Sequence, residues 1–152
     1  MFLEALAAFQ KMGTRLETPR ILHNLASIQQ ERGDLETAET YLKESLSLKT
    51  EIGDRAGMAA SIANLGSIYA ARGDLENALT FYARASETYR ETGNLNGFAQ
   101  AMVATSRVLA AAGQTEKAIE ILQHIEDLVR DASPVEYRRI KDQLELLRGS
   151  VD

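Results

Sequence analysis

The side chains with the widest chemical reach in this sequence are its carboxylates and its two histidines. Carboxylates recur in the runs Asp34-Leu35-Glu36 and Asp74-Leu75-Glu76. Paired acids of this kind can serve general acid–base work, or they can sit at helix starts, where they satisfy free amides and the positive end of the dipole. The second use fits better, because each run follows a glycine. His23 and His124 stand far apart with no ligand spacing around them, and the chain has 0 cysteines, so neither a thiolate metal site nor a disulfide framework is expected. No glycine-rich phosphate loop, paired-histidine motif, nucleophile elbow or calcium loop is present. The sequence therefore predicts no enzyme, no cofactor and no metal.

Tyr41, Tyr69, Phe81, Tyr82 and Tyr89 fall at helical spacing, which suits core packing rather than base stacking. The net charge of -5 is spread over interspersed acids and bases, so the basic stripe that nucleic acid requires is missing. No apolar run approaches ~18 residues, and no basic segment precedes the apolar start, so neither a membrane span nor a signal peptide is expected. Absence of cysteine fits a cytoplasmic setting.

These residues are carried by helices. Alanine, leucine and glutamate dominate, there are only 2 prolines, and 45% of the 152 residues are hydrophobic, enough to fill a core. Two interleaved series repeat every 40 residues. Arg32-Gly33-Asp34 returns as Arg72-Gly73-Asp74, with Gly113 following, and Gly53-Asp54-Arg55-Ala56-Gly57 returns as Gly93-Asn94-Leu95-Asn96-Gly97. Asn24-Leu25-Ala26-Ser27-Ile28 likewise returns as Asn64-Leu65-Gly66-Ser67-Ile68. Each glycine suits the position just past a helix, and the following Asp34, Asp54, Asp74 or Asn94 suits the cap of the next. Every repeat is thus expected to be a hairpin of two helices, A and B.

In the best repeat, A is expected over 55–72 and B over 75–92. There Ile62-x-x-Leu65-Gly66-x-x-Tyr69 and Ala78-x-x-x-Tyr82-x-x-Ala85 resemble the tetratricopeptide pattern of large, leucine, small and aromatic residues, then alanine and aromatic. The period exceeds that family's usual ~34 residues and no proline divides the repeats. Such lengthened repeats are similar to those of kinesin light chains, cell-polarity adaptors and the sensor arms of some bacterial regulators. HEAT and armadillo repeats share the period but not the small contact residues Gly66 and Ala78.

The resemblance implies an all-α, right-handed superhelical solenoid of antiparallel hairpins with a capping helix at its carboxyl end. We expect one domain over 1–148, divided into an orphan B helix (1–13), repeats at 19–52, 54–92 and 94–131, a capping helix at 134–148 and a tail at 149–152. The first helix offers Phe2, Leu3, Leu6 and Phe9 with no A helix before it, which predicts a homodimer contact or a longer parent chain. Ser133-Pro134-Val135-Glu136 reads as a capping box.

The resemblance further implies protein–protein interaction, with A helices lining a concave groove. Arg20, His23, Asn24, Ser27 and Gln30 are expected there from the first repeat, Ala60, Asn64 and Ser67 from the second, and Gln100 and Arg107 from the third. In similar adaptors an asparagine before the Leu-Gly or Leu-Ala pair bonds a peptide backbone, and Asn24 and Asn64 hold that place, while Ala104 does not. The same asparagines can instead bridge neighbouring A helices. The expected partner is an unidentified protein or peptide, with self-association or service as the sensor arm of a larger regulator as alternatives.

Overall fold

Five glycines mark where the chain turns. Gly33, Gly53, Gly73, Gly93 and Gly113 all have φ between 70° and 80°, a left-handed conformation that other residues reach only with strain. At the first, Asp34 N–H donates to Gln29 O at 2.9 Å and Gly33 N–H to Gln30 O at 3.0 Å, which closes the helix in a Schellman turn. The residue after the glycine then opens the next helix. Asp34 accepts from Thr37 N–H at 3.1 Å, Asp54 from Gly57 at 2.9 Å, Asp74 from Asn77 at 3.2 Å and Asn94 from Gly97 at 2.8 Å.

The computed structural model describes residues 1–11 and 16–151, without the side chains of residues 9–11. Its helices are α1 (Phe2–Lys11), α2 (Thr18–Glu31), α3 (Leu35–Glu51), α4 (Arg55–Ala71), α5 (Leu75–Glu91), α6 (Leu95–Ala111), α7 (Thr115–Val129) and α8 (Pro134–Arg148). Each of the pairs α2/α3, α4/α5 and α6/α7 forms a hairpin, and each hairpin stacks on the next through α3/α4, α5/α6 and α7/α8. Contacts between α4 and α6 and between α6 and α8 place the first helices of successive hairpins side by side.

The core runs along this stack rather than sitting in one centre. Ala26, Ala38, Leu42, Leu65 and Ile68 pack between the first two hairpins. Ile62, Ala85 and Ala101, with Ala78, Tyr82 and Val108, join the second to the third. Leu122, Ile125, Val129, Ile140, Leu144 and Leu147 bind α8 to α7. Each fully buried leucine or isoleucine contributes about 1.5–3 kcal/mol, and no hairpin hides its apolar face without its neighbour. Gly66 is small for a definite reason: a Cβ there would lie 3.0 Å from the Tyr82 ring.

Two details differ from expectation. Ser133 makes no side-chain cap bond. Its own N–H already donates to Val129 O at 2.9 Å, so the return bond of a capping box has no donor, and Glu136 turns into the groove instead. On α1, Phe2 and Leu3 are 62% and 66% exposed, but Leu6 is buried within the chain and is not part of a free apolar edge. The side chain of Phe9, and Met12, lie outside the described residues.

Candidate functional site

The concave side is built by α2, α4, α6 and α8. Between successive members lie three cavities of about 270, 360 and 380 Å³. Ala60 borders the first and second, and Gln100 and Ala104 border the second and third, so the three form one trough.

Arg20 and His23 line the first cavity, where α2 faces α4. Beneath them is Lys49, which comes from the last turn of α3 and is only 6% exposed. Its ammonium donates to Ser61 Oγ at 2.9 Å, and His23 Nδ1 lies 3.4 Å from the same oxygen. His23 Nε2 stands 3.4 Å from Asn64 Nδ2 on α4. An amide nitrogen can only donate, so Asn64 as oriented here directs an N–H at Nε2, an arrangement that the neutral ring accepts. Burial, and then the charge of Lys49, hold the His23 pKa below its ordinary 6.5. Burial likewise pulls Lys49 below 10.5, partly offset by Asp54.

Among the described residues, no charged side chain lines the second cavity. Ala60, Ala63, Asn64 and Ser67 line it from α4 and Gln100 from α6, with Tyr82 and Tyr89 reaching it from α5. Two glycines admit those rings, since a Cβ on Gly97 would lie 2.4 Å from Tyr89 as one on Gly66 would crowd Tyr82. Burial raises both phenols, and for Tyr82 a hydrogen bond with Ser67 opposes the rise.

The third cavity lies between α6 and α8 and is lined by Gln100, Val103, Ala104, Arg107, Glu136 and Arg139. Glu136 is 3% exposed; its Oε1 accepts from Gln100 Nε2 and from Arg139 Nη1, each at 3.0 Å, while Oε2 is buried without a partner among the described residues. Arg107 Nε donates to Gln143 Oε1 at 3.4 Å. The last helix thus caps the apolar end of α7 and also continues the trough.

Of the residues expected in the groove, Arg20, His23, Ala60, Asn64, Ser67, Gln100 and Arg107 line these cavities. Asn24 is exposed and lines none of the three. Ser27 donates to the His23 carbonyl of its own helix at 3.2 Å, and Gln30 Nε2 donates to Ser67 Oγ at 2.8 Å. Asn64 and Gln30 tie α2 to α4, and Gln100 and Arg107 tie α6 to the capping helix α8, so the bridging role of the asparagine exists alongside any role toward a ligand. Lys49, Tyr89, Glu136 and Arg139 were not singled out from sequence as groove residues. Lys49 and Tyr89 stand one 40-residue period apart, and that register was the available signal.

Among the described residues no cluster of histidine, aspartate or glutamate is gathered so as to hold a metal ion, and no helix is long and apolar enough to cross a membrane. The trough presents hydrogen-bond donors, two tyrosines and buried charge.

The family model described as the MalT-like TPR region matches residues 5–150. Comparison with curated proteins gives no match. Among solved structures, BtubC (BKLC) from P. vanneervenii superposes with a TM-score of 0.85 at 16% identity, covering 99% of this chain and 63% of that one. A signal-transduction ATPase with numerous domains and a tetratricopeptide repeat sensor, from Pyrococcus horikoshii, gives 0.82 at 18% identity over 99% of this chain and 23% of its own. Kinesin light chain-like repeats from Podosopora anserina give 0.66 at 15% identity, covering 97% and 84%. The chain therefore spans less than two thirds of the first two structures. At these identities the likeness is one of fold, the right-handed solenoid of helical hairpins.

Proposed function

The chain belongs to the MalT-like TPR region family, and from that premise we propose that it is a non-catalytic scaffold whose concave trough takes an extended peptide segment of a partner protein. Repeats of this type are protein-interaction modules. The observation that carries the reading is the continuity of the three cavities through Ala60, Gln100 and Ala104. Extended chain advances about 3.3 Å per residue, and neighbouring helices stand about 8–10 Å apart, so one peptide of modest length can visit all three. The bridges between A helices hold the trough in shape before binding, which lowers the entropy lost on association.

Panning a random peptide library on the whole chain tests this. Peptides captured by the wild type should be lost by Ala60→Trp, which fills the join between the first two cavities, and weakened by Asn64→Ala without loss of helicity. Capture that survives both changes would place the binding surface elsewhere.

A second reading is self-association through the exposed Phe2 and Leu3 of α1. Light scattering over a range of concentrations decides it: a constant mass of 16.7 kDa removes the reading, and a doubled mass abolished by Leu3→Glu upholds it. The sensor-bearing structure from Pyrococcus horikoshii supports a third, in which the trough reports a bound ligand to another domain of a longer protein.

A further inference from the structure

The third residue of each groove helix allows a comparison along the chain. Arg55, Leu95 and Pro134 open α4, α6 and α8, so Gly57, Gly97 and Glu136 hold the same place in the first turn. Two of these joints form with glycine there, so the stacking of hairpins does not call for a carboxylate at that position. An acid in a first turn ordinarily serves the helix dipole from the surface. Glu136 is instead 3% exposed and lines the cavity of about 380 Å³ between α6 and α8.

Its two oxygens are treated unequally. Oε1 accepts from both Gln100 and Arg139, whereas Oε2 has no donor among the described residues. A buried acceptor left open on a cavity wall calls for a donor from outside the chain. The same wall also holds a donor in reserve, because Arg107 gives only its Nε–H, at 3.4 Å, to Gln143, which leaves the two amino groups of its fork.

Three kinds of group can be set against this arrangement. An ammonium would satisfy Oε2, but it would join two guanidiniums, Arg107 and Arg139, that already face a single carboxylate. A carboxylate would suit the arginines but would bring no donor to Oε2 and would lie against a buried anion. A primary carboxamide serves both, its NH2 donating to Oε2 and its oxygen accepting from Arg107. Glu136 lies beneath the exposed Gln100, Arg107 and Arg139, so the group that reaches it hangs from a side chain rather than lying in a main chain. We propose that the cavity between α6 and α8 is a carboxamide subsite, taking an asparagine or glutamine side chain of the segment in the trough. The proposal rests on the peptide-binding reading and names one residue of the partner.

Propionamide, propionate and propylammonium, which share one carbon chain, are titrated separately into the isotope-labelled whole chain at constant pH and ionic strength. With propionamide, the backbone N–H signals of Ala104 and Glu136 should move along a saturating curve in NMR while those of His23 and Ser27 stay still. The other two should bind at least about tenfold more weakly, and Arg107→Ala, on the exposed rim, should weaken propionamide about tenfold, the loss of one charge-assisted bond. Glu136→Gln keeps the size of the side chain. Gln100 and Arg139 both donate to one atom, so the new amide keeps its oxygen there and places its NH2 where Oε2 was. The acceptor becomes a donor, and the preference for propionamide over propionate should invert, with an unchanged circular dichroism spectrum. A carboxylate that merely held α8 in place would leave that preference alone. Equal or tighter binding of propionate or propylammonium to the wild type, a preference retained in Glu136→Gln, shifts that do not saturate, or equal saturation by N-methylacetamide, which stands for a backbone peptide unit, overturns the subsite. Saturation by propionamide with no library peptide captured upholds the subsite and refutes the peptide reading, whereas captured peptides with no propionamide curve do the reverse.

Discussion

The joint between α2 and α4 and the joint between α4 and α6 are the same piece of architecture carrying different chemistry. Both have an aspartate or asparagine cap bonded to the third residue of the helix, both place a glycine at that residue, and both receive a side chain from the last turn of the preceding B helix. That side chain is Lys49 in one and Tyr89 in the other. What the two joints share is therefore what the solenoid needs, and what differs is free to serve a ligand. Repetition inside one chain thus sorts scaffold from site by physics alone, since the same packing problem is solved twice.

The largest effect should come from breaking the packing that supports the second joint. Gly66→Leu places a branched side chain where even a Cβ is 3.0 Å from the Tyr82 ring, and is expected to cost about 3 kcal/mol in urea unfolding followed by circular dichroism. Its counterpart one period earlier, Ala26, already tolerates a methyl group at full burial, so the two repeats are not interchangeable here.

Next in size, Gly97→Ala and Gly57→Ala should differ although the positions correspond. A Cβ on Gly97 would meet the Tyr89 ring at 2.4 Å, and displacing a packed tyrosine should cost about 2 kcal/mol. A Cβ on Gly57 would meet Asp54 Oδ2 at 2.0 Å, and a lost cap should cost about 1 kcal/mol. Equal losses in denaturant midpoints would mean that the two floors are built alike.

Lys49→Met should reverse the sign and stabilise the chain by about 1 kcal/mol at neutral pH, because it removes a buried charge that forms no ion pair among the described residues and is only partly offset by Asp54. Since burial holds Lys49 below 10.5, the unfolded chain binds its proton more tightly than the folded one. The penalty is full while both states are protonated and fades as pH rises toward 10.5. The advantage of the variant should therefore shrink between neutral and alkaline pH, read as converging urea midpoints.

The smallest effect lies between α3 and α4. Glu39 accepts from Tyr69 Oη at 2.9 Å and pairs with Arg72 and Lys43. Bonding to Lys43 first, and then to Arg72 and Tyr69, lowers its pKa from 4.5 to about 2. Its stabilisation is full above 4.5 and is lost as pH falls toward 2. One period later the position is Leu79, packed against Ala78, Tyr82 and Val108. Glu39→Gln should cost under about 1 kcal/mol near neutrality and flatten the acid limb of the stability profile between those values.

Helices, turns and caps were legible because they depend on neighbours in sequence. A glycine followed by aspartate is a turn and a cap whatever packs on it, and leucine and alanine at three and four residues give each helix a buried face. Asn64 was legible as a groove residue through its place before Leu65-Gly66, but its hydrogen-bond contact with His23 joins residues 41 apart and could not be seen locally. Asn24, its repeat-mate, stands exposed, and it is His23 that meets Asn64 in the first joint.

The sequence by itself determined the hairpins, their order and the solenoid they stack into, since helix period, turn glycines and small contact residues are local and repeat. Only the tertiary structure decided the chemistry of the trough. Lys49 belongs by sequence to the end of a B helix, where a lysine ordinarily meets solvent and the helix dipole. Glu136 belongs by sequence to a cap. Each becomes a buried charge in a cavity because two helices from different hairpins close over it, and that closure joins residues that share no local pattern.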